Sequence, residues 1–174
     1  MKIEDLRNIY TSSRVELVEL TGEALCYAEE KEEEGHNSLF LLEYNRHSKR
    51  ERVITNYLLN DPSFIHHYFP FPATILLVLE DGGNEIWAAA IDRESGRERS
   101  LTRLGLVGSF TACTAIDDSR LLVWTREDEA SASLFSEYRR ETGLDRVCCL
   151  CDLEEGSCHF VRDPRIASAQ PGGV

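Results

Sequence analysis

The stretch that decides the fold runs from Ser109 to Leu153 and reads SFTACTAIDDSRLLVWTREDEASASLFSEYRRETGLDRVCCLCDL. It contains short apolar runs separated by turn residues such as Asp117-Asp118-Ser119 and Glu141-Thr142-Gly143. The runs are Ser109–Ile116, Arg120–Arg126, Ser133–Arg139 and Asp145–Leu153. Short apolar runs bounded by Asp, Ser and Gly are typical of strands joined by tight turns. The stretch therefore predicts one four-stranded antiparallel sheet.

The same pattern occurs twice upstream, at a spacing of 47 residues. Arg46, Arg93 and Arg140 take equivalent positions in the copies EYNRHSKRERV, AIDRESGRERS and EYRRETGLDRV. Gly96 and Gly143 follow at a turn position where glycine adopts a positive φ without steric cost, whereas the first copy has a lysine there. A period near 47 residues with four strands per unit is typical of β-propeller blades. An ordinary β-sandwich or barrel with similar hairpins is the alternative.

We therefore predict an all-β chain that forms one domain over residues 1–174, with three four-stranded antiparallel blades of a partial β-propeller. Its parts are a short N-terminal helix (1–13), blade one (14–60), blade two (61–107), blade three (108–154), and the start of a fourth blade with a tail (155–174). Because propellers have roughly four to eight blades, three blades do not close a ring. The chain is then part of a longer protein, pairs with a second copy, or stands as an open arc covered by its terminal segments.

Two of these units resemble the blades of a known superfamily. The segments TILLVLEDGGNEIWAAAIDRESG and TAIDDSRLLVWTRED are similar to blades of TolB-like and prolyl-oligopeptidase-type β-propellers, and the resemblance covers about Val15–Ile166. It departs from the pattern where Asn45 and Arg139 replace the aspartate found at Asp92. The resemblance implies an interaction platform, a ligand sensor or the gating domain of a serine peptidase. The Gly-x-Ser-x-Gly nucleophile elbow of a peptidase domain does not occur in this sequence.

Charge and composition exclude several classes of partner. The 174 residues carry 19 Lys+Arg against 31 Asp+Glu, for a net charge of -12. Nucleic acids and anionic membranes are bound by basic residues, so we expect neither as a partner. Residues Met1–Tyr10 lack the apolar core of a signal peptide, and no apolar run is long enough to span a membrane. We therefore expect a cytoplasmic protein whose six cysteines are reduced thiols.

Three local features have structural interpretations. The apolar run Ile75–Leu79 predicts a buried strand. The acidic run Glu29–Gly35 predicts a solvated loop, because like charges repel. Trp87 and Trp124 lie on strands of adjacent predicted units, so we expect both between sheets.

The run Phe64–Phe69 contains the best candidates for binding a ligand. The first strand of a propeller blade lines the central channel, so His66 or His67 is expected to face it, with Tyr68 nearby. Successive side chains on a strand point to opposite faces, so the two histidines are not expected to share one site. Cys113 falls at the position of His67 one unit later, at a spacing of 46 residues. Packing in the core or at the rim is the alternative for all four side chains.

The sequence CCLCDLEEGSCH holds the weaker candidates for a metal site. Cys149, Cys151, Cys158 and His159 are possible ligands, but their spacing is not that of paired Cys-x-x-Cys knuckles. A structural core of small apolar thiols and a redox role are the alternatives. No glycine-rich loop opens a helix, so we expect no cofactor.

We predict a non-enzymatic module that acts through protein–protein contacts, with self-association, for example as a homodimer, the expected mode. The alternative is the ligand- or peptide-binding part of a sensor or hydrolase whose catalytic part lies outside this chain. No Ser-His-Asp or Cys-His-Asp set can be assembled from the spacing.

Overall fold

Strands that are neighbours in the chain pair with one another in three separate sheets, each of them antiparallel and open. The computed structural model describes residues 14–20, 22–33, 36–59, 64–81 and 83–169, and the helix predicted over residues 1–13 lies outside them. The first sheet is β1 (Arg14–Leu20), β2 (Ala24–Glu33), β3 (His36–Asn45) and β4 (Arg50–Leu59). The second is β5 (Phe64–Pro70), β6 (Thr74–Glu80), β7 (Ile86–Asp92) and β8 (Glu98–Arg103). The third is β9 (Ser109–Ala115), β10 (Arg120–Arg126), β11 (Arg146–Asp152) and β12 (Ser157–Phe160), with helices α1 (Ala132–Thr142) and α2 (Pro164–Ala167).

The second sheet lies between the other two and is buried on both faces. Alternate residues of β6 point to opposite faces: Leu76 and Val78 pack with the third sheet, whereas Ile75, Leu77 and Leu79 pack with the first. All five are 5% exposed or less. Full burial of each such side chain contributes about 1.5–3 kcal/mol relative to leaving it in water. This is why the sequence of β6 is continuously apolar rather than alternating, and it confirms the prediction of a buried strand.

The third sheet differs from its prediction because a helix occupies the place of one expected strand. Residues 133–139 belong to α1, which buries Phe135 and Tyr138, three positions apart on one face. The helix ends at Gly143, whose φ of 74° is left-handed and whose N–H donates to the Arg139 carbonyl at 2.8 Å. The fourth strand of this sheet is β12, which pairs with β11. The prediction that residues 155–174 begin a fourth unit is therefore wrong.

A turn of one kind does recur in all three sheets, although not at the predicted third position. After the third strand of each sheet, an Asn or Asp side chain accepts hydrogen bonds from backbone N–H groups two or three residues later at 2.8–3.0 Å. A residue with positive φ follows four positions on. The pairs are Asn45 with Lys49 (φ 54°), Asp92 with Gly96 (φ 68°) and Asp152 with Gly156 (φ 64°). Asp152 lies 60 residues after Asp92, because α1 is inserted between the second and third strands. Arg140 accordingly lies in a helix, unlike Arg46 and Arg93.

The described sheets form a stack with two ends rather than a ring, which corrects the partial-propeller prediction. On the outer face of the third sheet, Trp124 is 2% exposed and packs with Cys148 and Ala167. Its Nε1–H donates to the Ala167 carbonyl at 2.9 Å, so the segment containing α2 covers this face. Trp124 is therefore buried beneath that segment and not between sheets, whereas Trp87 packs against the core between the first and second sheets, as predicted.

The remaining correction concerns the acidic run Glu29–Gly35, which was predicted to be a solvated loop. Its residues Glu29–Glu33 are not a loop but belong to β2, and residues 34 and 35 lie outside the described residues. Strand pairing holds these charged residues in an extended hairpin, from Glu29 paired with Phe40 to Glu33 paired with His36. Neither of the two described helices is long and apolar enough to cross a membrane.

Candidate functional site

A cleft of about 380 Å³ opens between the second and third sheets, at the end where β6 finishes and β9 begins. Acidic, apolar and small residues line it together, and we call it the Glu80 cleft. Its lining residues are Glu80, Asn84, Glu85, Ile86, Leu104, Leu106, Gly108, Ser109, Phe110 and Asp128. A concave site with a few converging polar groups on an apolar wall is the usual form of a binding site.

One wall of the cleft is held by a histidine–carboxylate contact beside an aromatic ring. Nε2 of His66 lies 2.6 Å from Oε2 of Glu80, and both side chains are less than one-third exposed. The ring of His66 lies 4.5 Å from the ring of Phe110 in the third sheet. The ring contact joins β5, an edge strand of the second sheet, to β9, an edge strand of the third, and so borders the cleft.

A β-bulge explains how two consecutive histidines approach the same ring. The register of β5 on β6 shifts between Ile65 and His67, so strict alternation is broken at His66. His67 lies 6.3 Å from the Phe110 ring and stacks on Phe69 at 5.7 Å. Both histidine rings therefore lie near Phe110, although successive residues of a regular strand point to opposite faces.

Two of the cleft carboxylates, those of Glu85 and Asp128, are held in place by hydrogen bonds. Glu85 accepts from Arg103 at 2.8 Å and 2.5 Å, and this carboxylate raises the pKa of the arginine. Asp128 accepts from the Ser131 hydroxyl at 2.5 Å, and that hydrogen bond lowers the pKa of Asp128. With Glu80, three carboxylic side chains line the cleft and one arginine offsets part of their charge.

Gly108 permits the close approach of three segments at the cleft. Its φ is +82°, and a Cβ there would collide with the Arg126 carbonyl and lie 2.8 Å from the Phe135 ring. The loop before β9, the end of β10 and α1 meet at this residue. A larger side chain at this position would push them apart, so the shape of the cleft depends on the glycine.

The structure brings together only some of the predicted ligand-binding residues. His66 and His67 lie beside the cleft, around Phe110. Tyr68 packs instead against the core between the first and second sheets. Cys113 is 2% exposed in the core between the second and third sheets, where burial raises the pKa of its thiol. A thiol in this position has neither the access nor the thiolate form that a nucleophile needs.

The four weaker metal candidates are not arranged as ligands of one ion. Cys151 and Cys158 form a disulfide between β11 and β12, which contradicts the expectation that all six cysteines are reduced. Cys149 is a buried free thiol and His159 is exposed on β12. Within the described ranges, no group of three or more His, Cys, Asp or Glu side chains is placed to hold a metal ion.

The sequence analysis gave Glu80, Glu85 and Asp128 no role in binding. A local signal was present, because residues 80–85 around one hairpin turn and the turn Glu127–Glu129 each carry three carboxylates. The sequence does not reveal that the second sheet packs on the third, and this packing places the two turns at the same end of the stack.

Two further clefts lie at the opposite end of the stack, with volumes of about 390 and 300 Å³. Arg99 lines both of them, donates to Thr74 Oγ1 at 3.1 Å and forms an ion pair with Asp92. Thr74 in turn donates to Asp118 at 3.2 Å. These clefts are weaker candidates because none of the described residues that line them is aromatic, whereas Phe110 lines the Glu80 cleft beside its carboxylates.

Comparison with protein-family models gives no match, and comparison with curated proteins gives none. Two solved structures are similar in fold. One is the uncharacterised protein lmo1340 from Listeria monocytogenes EGD-e, with a TM-score of 0.55 and 13% identity over 86% of this chain and 40% of that chain. The other is the AtxE2 isopeptidase in its apo form, with a TM-score of 0.52 and 12% identity over 87% of this chain and 29% of that chain. This chain thus spans less than half the length of either protein.

These two structures also bear on the family resemblance. One is described as an uncharacterised protein and the other as an isopeptidase, and neither description names a propeller. Together with the open sheets and the inserted helix, they overturn the assignment to TolB-like or prolyl-oligopeptidase-type propeller blades. The described residues are mostly β and form three open antiparallel sheets.

Proposed function

We propose that this chain is a non-enzymatic interaction module and that its partner protein inserts a lysine or arginine side chain into the Glu80 cleft. The observation that carries the proposal is the arrangement of three carboxylic side chains around an aromatic wall. A cation is attracted by the carboxylates and by the face of the Phe110 ring. The net charge of -12 adds a long-range attraction for a basic partner.

The alternative function, the peptide-binding part of a hydrolase, uses the same cleft in a different setting. The isopeptidase is similar to this chain at 12% identity, and this chain covers 29% of it. That likeness supports a common fold and no shared activity. The described residues supply no thiol nucleophile beside the cleft, since Cys113 is enclosed in the core.

The test is binding of single amino acid derivatives, followed by NMR of the backbone amides of Gly108, Ser109 and Phe110. Nα-acetyl-arginine amide is the probe and Nα-acetyl-citrulline amide is its neutral control of nearly the same shape. We expect arginine to shift these amides and citrulline not to shift them. We expect the shifts to weaken as the salt concentration rises, because exposed charges are screened.

Variants locate the binding site. Glu80→Gln removes one cleft charge, and we expect affinity to fall by about threefold to fivefold, the effect of an exposed charge pair worth up to about 1 kcal/mol. Glu155→Gln removes a charge from the exposed turn before β12 and is the matched control. Equal binding of arginine and citrulline, or equal loss in the two variants, would refute the proposal.

A further inference from the structure

The last strand of the third sheet is short and is held from one side only. β12 has four residues and pairs with β11 at the edge of the sheet. Cys151 lies opposite Cys158 in this pairing, and the disulfide between them joins the edge strand to the sheet. The two cysteines are seven positions apart, so the bond closes a short loop. A short loop restricts the unfolded chain less than a long one, so the main structural effect of the bond is local.

The chain that follows β12 covers the outer face of the third sheet. We call β12 together with this following chain, residues 157–169, the cover segment. The Val161 N–H donates to the Cys148 carbonyl at 2.8 Å, and the Val161 carbonyl accepts from the Tyr138 hydroxyl at 2.5 Å. Farther on, the Ala167 carbonyl accepts from Trp124 at 2.9 Å. These hydrogen bonds hold the segment against the sheet in addition to the disulfide.

The cover segment protects apolar surface but contributes little of its own to the core. Beneath it lie Trp124 and Cys148, which are 2% and 0% exposed. Two large apolar residues of the segment itself, Phe160 and Ile166, are 37% and 45% exposed. Segments with few buried contacts open at lower free energy than the core they cover.

We propose that the Cys151–Cys158 disulfide holds the cover segment against the third sheet under redox control. Its reduction by a dithiol releases the segment and exposes the apolar outer face of the sheet. This inference does not rest on the proposed function of the Glu80 cleft. The disulfide lies on the face of the third sheet that packs against the second sheet, whereas the residues after β12 lie over the opposite face. The bond therefore acts on the cover segment by holding β12 against β11. The exposed face, centred on Trp124, is a second surface that exists only in the reduced protein.

The reduction proceeds by thiol–disulfide exchange. A thiolate of the dithiol attacks Sγ of Cys158, which is partly exposed, whereas Cys151 is 0% exposed. The Cys151–Cys158 bond breaks, a mixed disulfide forms on Cys158, and Cys151 leaves as a thiolate that takes up a proton. The second thiol of the reagent then attacks the mixed disulfide and releases the Cys158 thiol. The protein gains two electrons and two protons, and the dithiol becomes a disulfide.

The test compares oxidised protein with protein reduced by dithiothreitol, using hydrogen exchange measured by mass spectrometry. We expect protection of residues 157–169 to fall by about tenfold on reduction, whereas β10 and β11 keep theirs. In a Trp87→Phe variant, Trp124 is the remaining tryptophan, and its emission is expected to shift to the red on reduction. Both changes are expected to reverse on reoxidation.

Variants distinguish a disulfide that holds only the cover segment from one that stabilises the whole third sheet. The double variant Cys151→Ser with Cys158→Ser is expected to show the reduced pattern without any reductant. Cys26→Ala removes a buried thiol from another core and is expected to respond to dithiothreitol as the wild type does. Unchanged exchange on reduction would overturn the proposal. A loss of protection in β9, β10 and β11 as well would also overturn it, since that would show unfolding of the whole third sheet instead of release of the segment.

Discussion

Replacing Gly108 by alanine tests whether the packing around the Glu80 cleft is as tight as the structure shows. Two costs combine at this position. The φ of +82° is unfavourable for a residue with a Cβ, by roughly 1–2 kcal/mol. The added methyl group would also meet the Arg126 carbonyl and, at 2.8 Å, the ring of Phe135. Overpacking of this kind costs about 1–3 kcal/mol.

Two other glycines separate these costs. Gly143 has a φ of +74° but no atom within 4 Å of the position that a Cβ would occupy, so Gly143→Ala is expected to show the backbone cost alone, about 1–2 kcal/mol. Gly105 has open space around it and no positive φ, so Gly105→Ala is expected to change stability by less than about 0.5 kcal/mol. The predicted order of stability is therefore Gly105→Ala, then Gly143→Ala, then Gly108→Ala.

The assay is urea unfolding of the three variants, followed by tryptophan fluorescence and circular dichroism. For Gly108→Ala we expect the free energy of unfolding to fall by about 2–5 kcal/mol, with the slope against urea unchanged. For a chain of this length, each kcal/mol corresponds to a loss of roughly 2–4 °C in Tm. If Gly108→Ala is no less stable than Gly143→Ala, the close contact among the loop, β10 and α1 is wrong.

Three further predictions concern thiols, acid stability and association. Burial raises the pKa of Cys148 to about 11 and of Cys149 to about 12, so the oxidised native protein should not react with Ellman's reagent at pH 8. The denatured oxidised protein should show four reactive thiols, and the denatured reduced protein should show six. Fast reaction of the native protein would contradict the burial of these residues. The Arg120 side chain lowers the pKa of Asp117 to about 2, so the stability from this contact is complete above the ordinary value of 3.8 and is lost as the pH falls towards 2. Asp117→Asn should therefore flatten the dependence of unfolding on pH in this range, and an unchanged pH profile would argue against the contact. Self-association predicts a light-scattering mass of twice 19.8 kDa, and a mass of 19.8 kDa would contradict it.

The strands of the first two sheets were predictable because their signals are local. Apolar runs and Asp, Asn and Gly turns specify a hairpin without reference to distant residues, and β1 to β8 lie where these runs occur. The third sheet misled the prediction because Gly143, which ends α1, falls 47 residues after Gly96 and imitates its turn. The turn of the same kind ends instead at Gly156. A glycine with positive φ occurs both at the C-terminus of a helix and in a turn between two strands, so the sequence pattern alone does not distinguish the two.

The candidate site was predicted less well than the fold, and the reason is tertiary. His66 was predicted as a ligand-binding candidate, but its partner Glu80 lies on the neighbouring strand and Phe110 on another sheet. The bulge before His67 also removes the alternation on which the side-chain directions were predicted. Disulfide formation between Cys151 and Cys158 depends on the position of β12, which was expected in another sheet.

The burial of β6 on both faces sets a lower limit on how far the polypeptide can be dissected. A fragment without residues 14–59 would present Ile75, Leu77 and Leu79 to solvent, and one without residues 109–169 would present Leu76 and Val78. Either product would display an uncharged stretch of strong strand formers, the kind of sequence that drives intermolecular aggregation. Limited proteolysis or domain-trimming for expression should therefore yield insoluble pieces whenever a cut removes one of the outer layers.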